Sequence, residues 1–342
     1  MDESGYEDIK KYVPGGYHPV DIGDAIGQYT VLHKLGSGGF ATVWLVQSSE
    51  DSRYYAVKIL CADVSGAKAN EREIMEYLGP HHHPNVVKLL RSFEITGPNG
   101  VHTYLTTSNV VFSLPDIQTM SPDEVCQLLG PIEREKLKLR DGSKSPHGPK
   151  RIVKNPDFSG FNIGMSSAAV MIIDFGEAFV LGRPRHRTGL GIPITSFPPE
   201  VCFGYPPEAG SDLWELACLL FEILCGRPLF PLYFPIFEML IGLIVHYVAK
   251  PEDQRGSLGE EVAKAASRVE LSMGQQGFIV SLLQDMLVRE PEDRLSARDA
   301  SRRIESAASL FGGQVAEYLD LVEDIPDAPP PPPPPPEDSD SE

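Results

Sequence analysis

A glycine-rich stretch and a single lysine give this sequence its first sign of chemistry. The stretch Gly-Ser-Gly-Gly-Phe-Ala-Thr-Val runs from Gly36 to Val43, between two segments typical of β-strands. Residues without a Cβ let backbone N–H groups approach a phosphate closely. Lys58 follows fifteen residues after Val43, at the end of the apolar run Tyr-Ala-Val. A lysine inside an apolar strand is costly unless its charge meets a partner.

Phosphate on one side of Lys58 and a glutamate on the other would supply that partner. We predict that the glutamate is Glu73, on the helix that follows. Each signal alone has a plainer explanation, because glycine-rich turns and edge-strand lysines are both common. Together they predict a nucleotide site. Its candidate residues are Leu35, Gly36, Ser37, Gly38, Gly39, Phe40, Ala41, Val43, Ala56, Lys58 and Glu73.

The elements that must position this site are strands first and helices later. Apolar runs predict strands over residues 29–35, 42–46, 54–60 and 101–105, with another approached over 84–93 and a buried one over 170–174. Helical patterns cover residues 67–78, 212–224, 237–248, 275–288 and 296–310. This order predicts two lobes of different structural class.

Composition bounds the class of protein and its partners. The chain has 342 residues, 42% of them apolar, and a formal net charge of −18, which favours basic partners over nucleic acid. Five scattered cysteines without a Cys-x-x-Cys pair are typical of reduced thiols in the cytosol or nucleus. The apolar stretch 228–248 contains Pro231, Glu238 and His246, so it predicts a buried helix and no membrane span. We expect a monomer.

Two segments have the composition of solvated chain. Residues 130–164 are rich in charge, proline and glycine and predict a long surface insertion. Eight prolines run from Pro329 to Pro336, and acidic residues follow them. Such a run is extended and cannot bury a core, so it is either a disordered tail or a ligand for SH3 or WW domains.

Further motifs follow the loop and the lysine in a familiar order. They are Asp174-Phe175-Gly176, Pro198-Pro199-Glu200, Asp212-Leu213-Trp214 and Pro291-Glu292-Asp293-Arg294. With the loop and the lysine strand, this series resembles a eukaryotic-type protein kinase. The run from Gly39 to Leu45, the run from Ser108 to Phe112 and the insertion before Asp174 are similar to the SR-protein kinases, which phosphorylate serines of Arg/Ser-rich proteins.

The resemblance implies cofactors and roles for particular residues. ATP and Mg²⁺ would be bound, with Lys58 on the α- and β-phosphates and Glu73 orienting that lysine. Asn109 and Asp174 would hold the metal. The substrate would be a basic, Arg/Ser-rich protein. Glu200 and Arg294 would form a buried pair, and Thr188 and Thr195 lie in the segment through which kinases are switched.

The pattern breaks where the catalytic base belongs. Kinases place an aspartate five residues before the metal-binding asparagine, and here Tyr104 stands at that distance from Asn109. A tyrosine is protonated at neutral pH and cannot replace a carboxylate. Either residues 102–105 are a degraded catalytic loop, or they are the last strand of the first lobe, joined directly to the end of that loop.

Length favours the strand. The hinge, two helices and the catalytic loop of a kinase need roughly 50 residues at ordinary helix lengths. Only fifteen residues separate Phe93 from Asn109. We therefore interpret the chain as carrying an internal deletion, with a pseudokinase of compacted core as the alternative. Apolar surfaces that packed on the missing helix would then be exposed, and the second lobe would be poorly stable.

These interpretations predict an α+β, bilobal, protein-kinase-like fold with an antiparallel-sheet first lobe and an incomplete helical second lobe. The predicted divisions are an arm over residues 1–28, a first lobe over 29–105, a partial second lobe over 106–312 and a tail over 313–342. The predicted function is serine/threonine protein phosphorylation without its catalytic aspartate. The alternative is a catalytically dead binding module for basic proteins.

Overall fold

The computed structural model describes residues 5–66, 70–81, 83–107, 117–139, 141–157, 171–182, 191–234, 236–248 and 254–312. The chain divides into two compact units, residues 1–188 and 189–342. Asn109, Thr188 and the run from Pro329 to Pro336 lie outside the described residues.

A six-stranded antiparallel sheet forms the centre of the first unit. Its strands are β1 (Ala25–Ile26), β2 (Tyr29–Ser37), β3 (Ala41–Ser48), β4 (Tyr54–Leu60), β5 (Leu89–Gly97) and β6 (Gly100–Thr107), in the order β1-β2-β3-β4-β6-β5. Helix α1 (Asn70–Leu78) lies between β4 and β5 in the chain. The described strands and helices confirm the predicted α+β class.

Alternation along β3 and β4 gives the sheet two faces. Val43 pairs with Lys58 and Leu45 pairs with Ala56, so these four side chains share one face. Trp44 and Val57 pair between them and point to the other face, where they are buried with Tyr104. The period of two in the sequence therefore predicts the strand and also which residues share the site face.

Residues 102–105 are part of strand β6. Tyr104 pairs with Ile59 of β4 and with Phe93 of β5. Its side chain is fully buried, and its ring stacks on Phe93 with centroids 5.1 Å apart. The interpretation of this segment as the last strand of the sheet is confirmed, and Tyr104 is a core residue.

The first unit extends well beyond the predicted boundary at residue 105. Helix α2 (Pro122–Leu129) begins at the capping box of Ser121 and Glu124 and packs Val125 and Leu129 against Leu45. Strands β7 (Arg134–Lys136) and β8 (Arg151–Val153) pair with each other, and Val153 is buried with Trp44. Residues predicted to be a second lobe with a surface insertion thus cover both faces of the sheet, because their apolar side chains find their partners there.

The arm before the sheet is also built into the core. Tyr12, Tyr17, Val20 and Ile26 are buried, although residues 1–28 show no sequence period. A short 3-10 turn over Ile9–Lys11 begins at Asp8, whose carboxylate accepts from the Lys10 N–H. Tyr12, Tyr17 and Val20 therefore supply burial from positions outside the strands and α-helices, whereas Ile26 lies in β1.

The predicted buried strand at residues 170–174 is corrected by the structure. Ile172 makes a single parallel bridge to Val86, and its side chain is 58% exposed. Ile173 is exposed as well. Apolar sequence alone cannot bury a strand when no described element packs over it.

The described part of the second unit contains six helices: α3 (Pro199–Cys202), α4 (Ala209–Cys225), α5 (Phe237–Val248), α6 (Gln254–Val269), α7 (Met273–Met286) and α8 (Ala297–Ser306). Their shared core centres on Trp214, Phe221 and Phe230, and the indole of Trp214 stacks on Phe230 at 5.6 Å. The predicted helix over 237–248 is confirmed. Helices α2 and α6 were not predicted from the sequence. Within the described ranges, every helix is too short or too polar to cross a membrane.

Candidate functional site

The glycine-rich stretch forms the turn between β2 and β3. Gly36 pairs with Val43 and Ser37 pairs with Thr42, so the loop tip is Gly38, Gly39 and Phe40. The Gly38 N–H donates to the Ala41 carbonyl, which closes the turn. At Gly36 and Gly38 an added Cβ would meet no atom within 4 Å, so open space lies beside this backbone.

Lys58 lies next to this loop on the neighbouring strand. It pairs across the sheet with Val43, and its side chain is only 19% exposed. Its ammonium lies 2.7 and 2.9 Å from the two carboxylate oxygens of Glu71 on α1. It also donates to Asp174 Oδ1. One partly buried lysine is thus held between two carboxylates, which compensates the cost of burying its charge.

The glutamate partner differs from the predicted one, because Glu71 occupies the place expected for Glu73. Glu71 is buried, and burial raises the pKa of its carboxyl while Lys58 opposes the rise. Glu73 lies on the exposed side of the same helix. The missed signal was helical spacing. Glu71 stands three and four residues before the buried Ile74 and Met75, which places all three on one face.

Asp174 follows the bridge at Ile172 and adopts a left-handed backbone conformation with φ of 65°. This conformation is uncommon outside glycine and turns the chain sharply. Asn70 of α1 donates to the carbonyls of Gly176 and Ala178 at 3.1 and 2.7 Å. The helix that supplies Glu71 therefore also holds the segment that supplies Asp174.

The structure describes some of the remaining residues that were predicted to bind ATP or metal, and others lie outside the described residues. Val43, Ala56 and Lys58 share one face of the sheet beside the loop. Leu35 packs against the cluster of Leu45 and α2. Asn109 lies outside the described residues. Among the described residues, no group of three or more histidine, cysteine or acidic side chains is arranged to hold a metal ion.

Tyr104 cannot act as the catalytic base. It lies in the core, and burial raises the pKa of its phenol well above the ordinary value. Its hydroxyl makes no hydrogen bond to a described residue. The structure therefore places no base at the position that sequence spacing pointed to.

The second unit contains the predicted pair of Glu200 and Arg294. Two guanidinium nitrogens of Arg294 donate to the two carboxylate oxygens of Glu200 at 2.9 and 2.6 Å. Burial acts to raise the pKa of Glu200, but hydrogen bonds from Arg294 and Ser211 outweigh it and lower the pKa. Arg294 also donates to the carbonyls of Gly210 and Val288. This bidentate pair joins α3, α4 and the turn before α8.

Asp212 stands in the first turn of α4, as the motif indicated. It makes no hydrogen bond or ion pair with a described residue, and burial raises the pKa of its carboxyl. Nearby Glu215 has its pKa raised to about 7 by burial and by the carboxylates of Asp212 and Glu200. Of these three acids, only Glu200 forms an ion pair with a described residue, Arg294.

A loop at a strand turn, a lysine paired with a helix glutamate, and an aspartate in an Asp-Phe-Gly turn are the phosphate-binding parts of a protein kinase. Sequence comparison agrees. The chain is 41% identical over 109 residues to the serine/threonine-protein kinase spk-1 of Caenorhabditis elegans, which covers 30% of this chain and 11% of the relative. Identity to the SRSF protein kinase 3 of Homo sapiens is 36% over 109 residues, which cover 30% of this chain and 19% of the relative.

A longer match is to a serine/threonine protein kinase of Aspergillus fumigatus, 26% identical over 253 residues and covering 63% of each chain. No protein-family model matches the sequence. The matches span between 11% and 63% of these relatives' own lengths. The homologues of this chain are serine/threonine protein kinases, SR-protein kinases among them, which confirms the resemblance that the motifs indicated.

Proposed function

We propose that this chain binds the phosphates of ATP with Mg²⁺ through a kinase-type site and lacks the base for phosphoryl transfer by the kinase mechanism. The observation that carries the proposal is the position of Lys58. It stands beside the glycine-rich turn and is held by Glu71 and Asp174. A lysine paired in this way is pre-oriented, so it loses little side-chain freedom when phosphate arrives.

The phosphate side of such a site fits the residues present. Open space borders the loop at Gly36 and Gly38, and a positive charge stands on the adjacent strand. Asp174 is 69% exposed on its side chain, so it can accept a metal ion bound to phosphate. Mg²⁺, when bound with ATP, would neutralise phosphate charge there. Lys58 would hold phosphate oxygens, and Glu71 would keep Lys58 in place.

Loss of transfer follows from the short interval before residue 109. Tyr104 is a strand residue, and no aspartate stands in the kinase position. The alignment with the Aspergillus fumigatus kinase extends over 253 residues, more than 63% of a 342-residue chain supplies, so it opens gaps in this chain.

A second function is favoured by charge and by the relatives' names. The net charge of −18 suits a basic partner, and one relative is an SRSF protein kinase. Such a chain would bind Arg/Ser-rich protein without phosphorylating it. The binding would weaken as salt rises, because exposed charges are screened.

The first test is equilibrium binding of Mg·ATP to the purified chain and to Lys58→Met. We expect the variant to lose binding at least tenfold, since a charge-assisted contact to phosphate contributes about 1.5–3 kcal/mol. Lys88→Met is the matched control, because Lys88 is an exposed lysine of the same unit. Equal binding by the wild-type chain and Lys58→Met would refute the site.

The second test separates the binder from the enzyme. Labelled ATP is offered with an Arg/Ser-repeat peptide to the wild-type chain and to Asp174→Ala. We expect no transfer by either and salt-sensitive peptide binding by both. Transfer by the wild-type chain that disappears in Asp174→Ala would establish an active kinase and overturn the proposed loss of function.

A further inference from the structure

The described part of the N-terminal arm before β1, residues 5–24, is anchored to the sheet on both sides of the glycine-rich loop. Glu7 forms a fully buried ion pair with Lys34 of β2, and Tyr12 donates to Glu7 Oε1 at 2.7 Å. The Tyr17 carbonyl accepts from the side chain of Asn99, in the turn between β5 and β6, at 2.7 Å. The arm is therefore fixed at the strand that enters the loop and at the far edge of the sheet.

Between these anchors the arm reaches the loop tip with two donors. The Tyr17 hydroxyl donates to the Gly38 carbonyl at 2.6 Å. The Lys11 ammonium donates to the Gly39 carbonyl and stands 5.6 Å from the centre of the Phe40 ring. The Tyr17 ring is 2% exposed and packs edge-on against Tyr12 at 5.6 Å, so its hydroxyl has a fixed position.

These two contacts decide where the loop amides point. In a planar trans peptide, the C=O of one residue and the N–H of the next point in opposite directions. With the Gly38 carbonyl directed at Tyr17, the Gly39 N–H points away from the arm. With the Gly39 carbonyl directed at Lys11, the Phe40 N–H does the same. Glycines have more backbone freedom than other residues, so two such bonds remove conformations that would scatter these amides.

The Tyr17 hydroxyl is a permanent donor. Burial raises the pKa of this phenol to about 12, so it stays protonated throughout the neutral range. The contact to Gly38 therefore does not switch with physiological pH.

We propose that Tyr17 and Lys11 are positioning residues that hold the glycine-rich loop so that the N–H groups of Gly39 and Phe40 are presented for phosphate. The phosphate part rests on the proposed function. The arm acts by pre-organisation, which strengthens binding by reducing the freedom the loop must lose. The ligand chemistry it serves is a polyphosphate chain, and the base and sugar of a nucleotide gain nothing from it.

The test compares Mg·ATP with adenosine on the wild-type chain, Tyr17→Phe and Lys11→Met, by titration calorimetry. Removing the Tyr17 hydroxyl should weaken Mg·ATP binding about threefold to tenfold, the effect of one lost hydrogen bond, and leave adenosine affinity unchanged. Tyr54→Phe is the matched control. Tyr54 is equally buried and donates to the backbone carbonyl of Met120 at 2.9 Å, away from the loop.

An equal loss of Mg·ATP and adenosine in Tyr17→Phe would overturn the positioning role, because general damage to the fold weakens both. Unchanged Mg·ATP binding would overturn it too. Hydrogen exchange of the loop amides in the nucleotide-free chain separates this proposal from the proposed function. Faster exchange at Gly39 in Tyr17→Phe and Lys11→Met, but not in Tyr54→Phe, supports the positioning of the loop by the arm even if the wild-type chain binds no ATP. Unchanged exchange of the Gly39 amide in Tyr17→Phe and Lys11→Met overturns the positioning role, whatever the result of the nucleotide titrations.

Discussion

The sheet of the first unit and helix α4 of the second differ in how completely they are covered. Both faces of the sheet carry buried side chains, such as Trp44 on one face and Leu45 on the other. Helix α4 buries Trp214 and Phe221 on one side only. On the other side Leu216, Leu219, Leu220 and Ile223 are exposed, and Ile223 is 73% exposed.

The spacing of the exposed residues on α4 indicates why this helix is less covered than the sheet. Leu216, Leu219, Leu220 and Ile223 follow the i, i+3, i+4, i+7 pattern of a helix face that packs on another helix. We name this face the α4 stripe. Its exposure is what a missing helix would leave behind, since the interval between β5 and residue 109 is short by more than a helix length. Under the proposed deletion the sheet would lose nothing, because its own segments and the arm cover it.

The largest expected effect concerns the buried ion pair of the second unit. Arg294→Met should lower the unfolding free energy of that unit by about 3–5 kcal/mol, because it leaves the buried Glu200 carboxylate without its cation. Chemical denaturation followed by hydrogen exchange in each unit measures this. Arg302→Met is the control, since its pair with Asp299 is exposed and should contribute under about 1 kcal/mol. Equal losses of unfolding free energy in the two variants would mean that the buried pair contributes no more than the exposed one.

The next effect tests whether α2 belongs to the sheet. Leu129→Ala should destabilise the first unit by about 2–5 kcal/mol, because the side chain is buried against Leu45 and Tyr54. Denaturation monitored at the two tryptophans, one in each unit, locates the change. Leu139→Ala, at an exposed leucine of the same unit, should change little. A loss of stability confined to the second unit would mean that α2 belongs to the second lobe, as the sequence predicted.

A smaller effect depends on pH. The folded state holds the Glu215 proton up to about pH 7, whereas the unfolded chain releases it near its ordinary pKa of 4.5. The folded state therefore binds more protons between these values, and stability contributed by this group falls as pH rises through them. Glu215→Gln should raise the Tm more near pH 8 than near pH 5. An equal rise at both would show that Glu215 is ionised in the folded chain.

The smallest effect is expected on the α4 stripe. Leu219→Gln and Ile223→Gln should each change the unfolding free energy by about 0.5 kcal/mol or less, because both side chains are already exposed. Binding of an apolar dye should fall in both. Leu213→Gln, at a buried position of the same helix, should cost far more. A large loss of stability in Ile223→Gln would mean that the stripe is covered.

Several parts of the fold and the site were predictable from local pattern. The strand at Tyr54–Leu60 and the helix at Phe237–Val248 match their predicted bounds, because alternation and helical spacing are properties of a few neighbouring residues. The place of Lys58 beside the loop followed from motif spacing. Motif spacing alone would have assigned Tyr104 to the position of the catalytic base. The short chain between Phe93 and Asn109 indicated instead that Tyr104 lies in a strand.

Other parts depended on contacts between segments far apart in the chain. Glu71 and Glu73 are both acidic residues of one helix, but Glu71 lies on the buried face with Ile74 and Met75, whereas Glu73 is exposed. The arm has no period, yet Glu7 finds Lys34 in the core. The apolar run around Ile172 predicted burial, but no described element covers it.

The sequence by itself determined the class of the fold, the order of its elements, the loop and lysine of the site, and the short interval between Phe93 and Asn109. These features depend on residue type, spacing and length, which are local or additive. Tertiary structure alone decided that the arm contacts the glycine-rich loop and that α4 keeps an exposed stripe. Those outcomes depend on which surfaces meet, and burial is a property of pairs of segments that no single segment encodes.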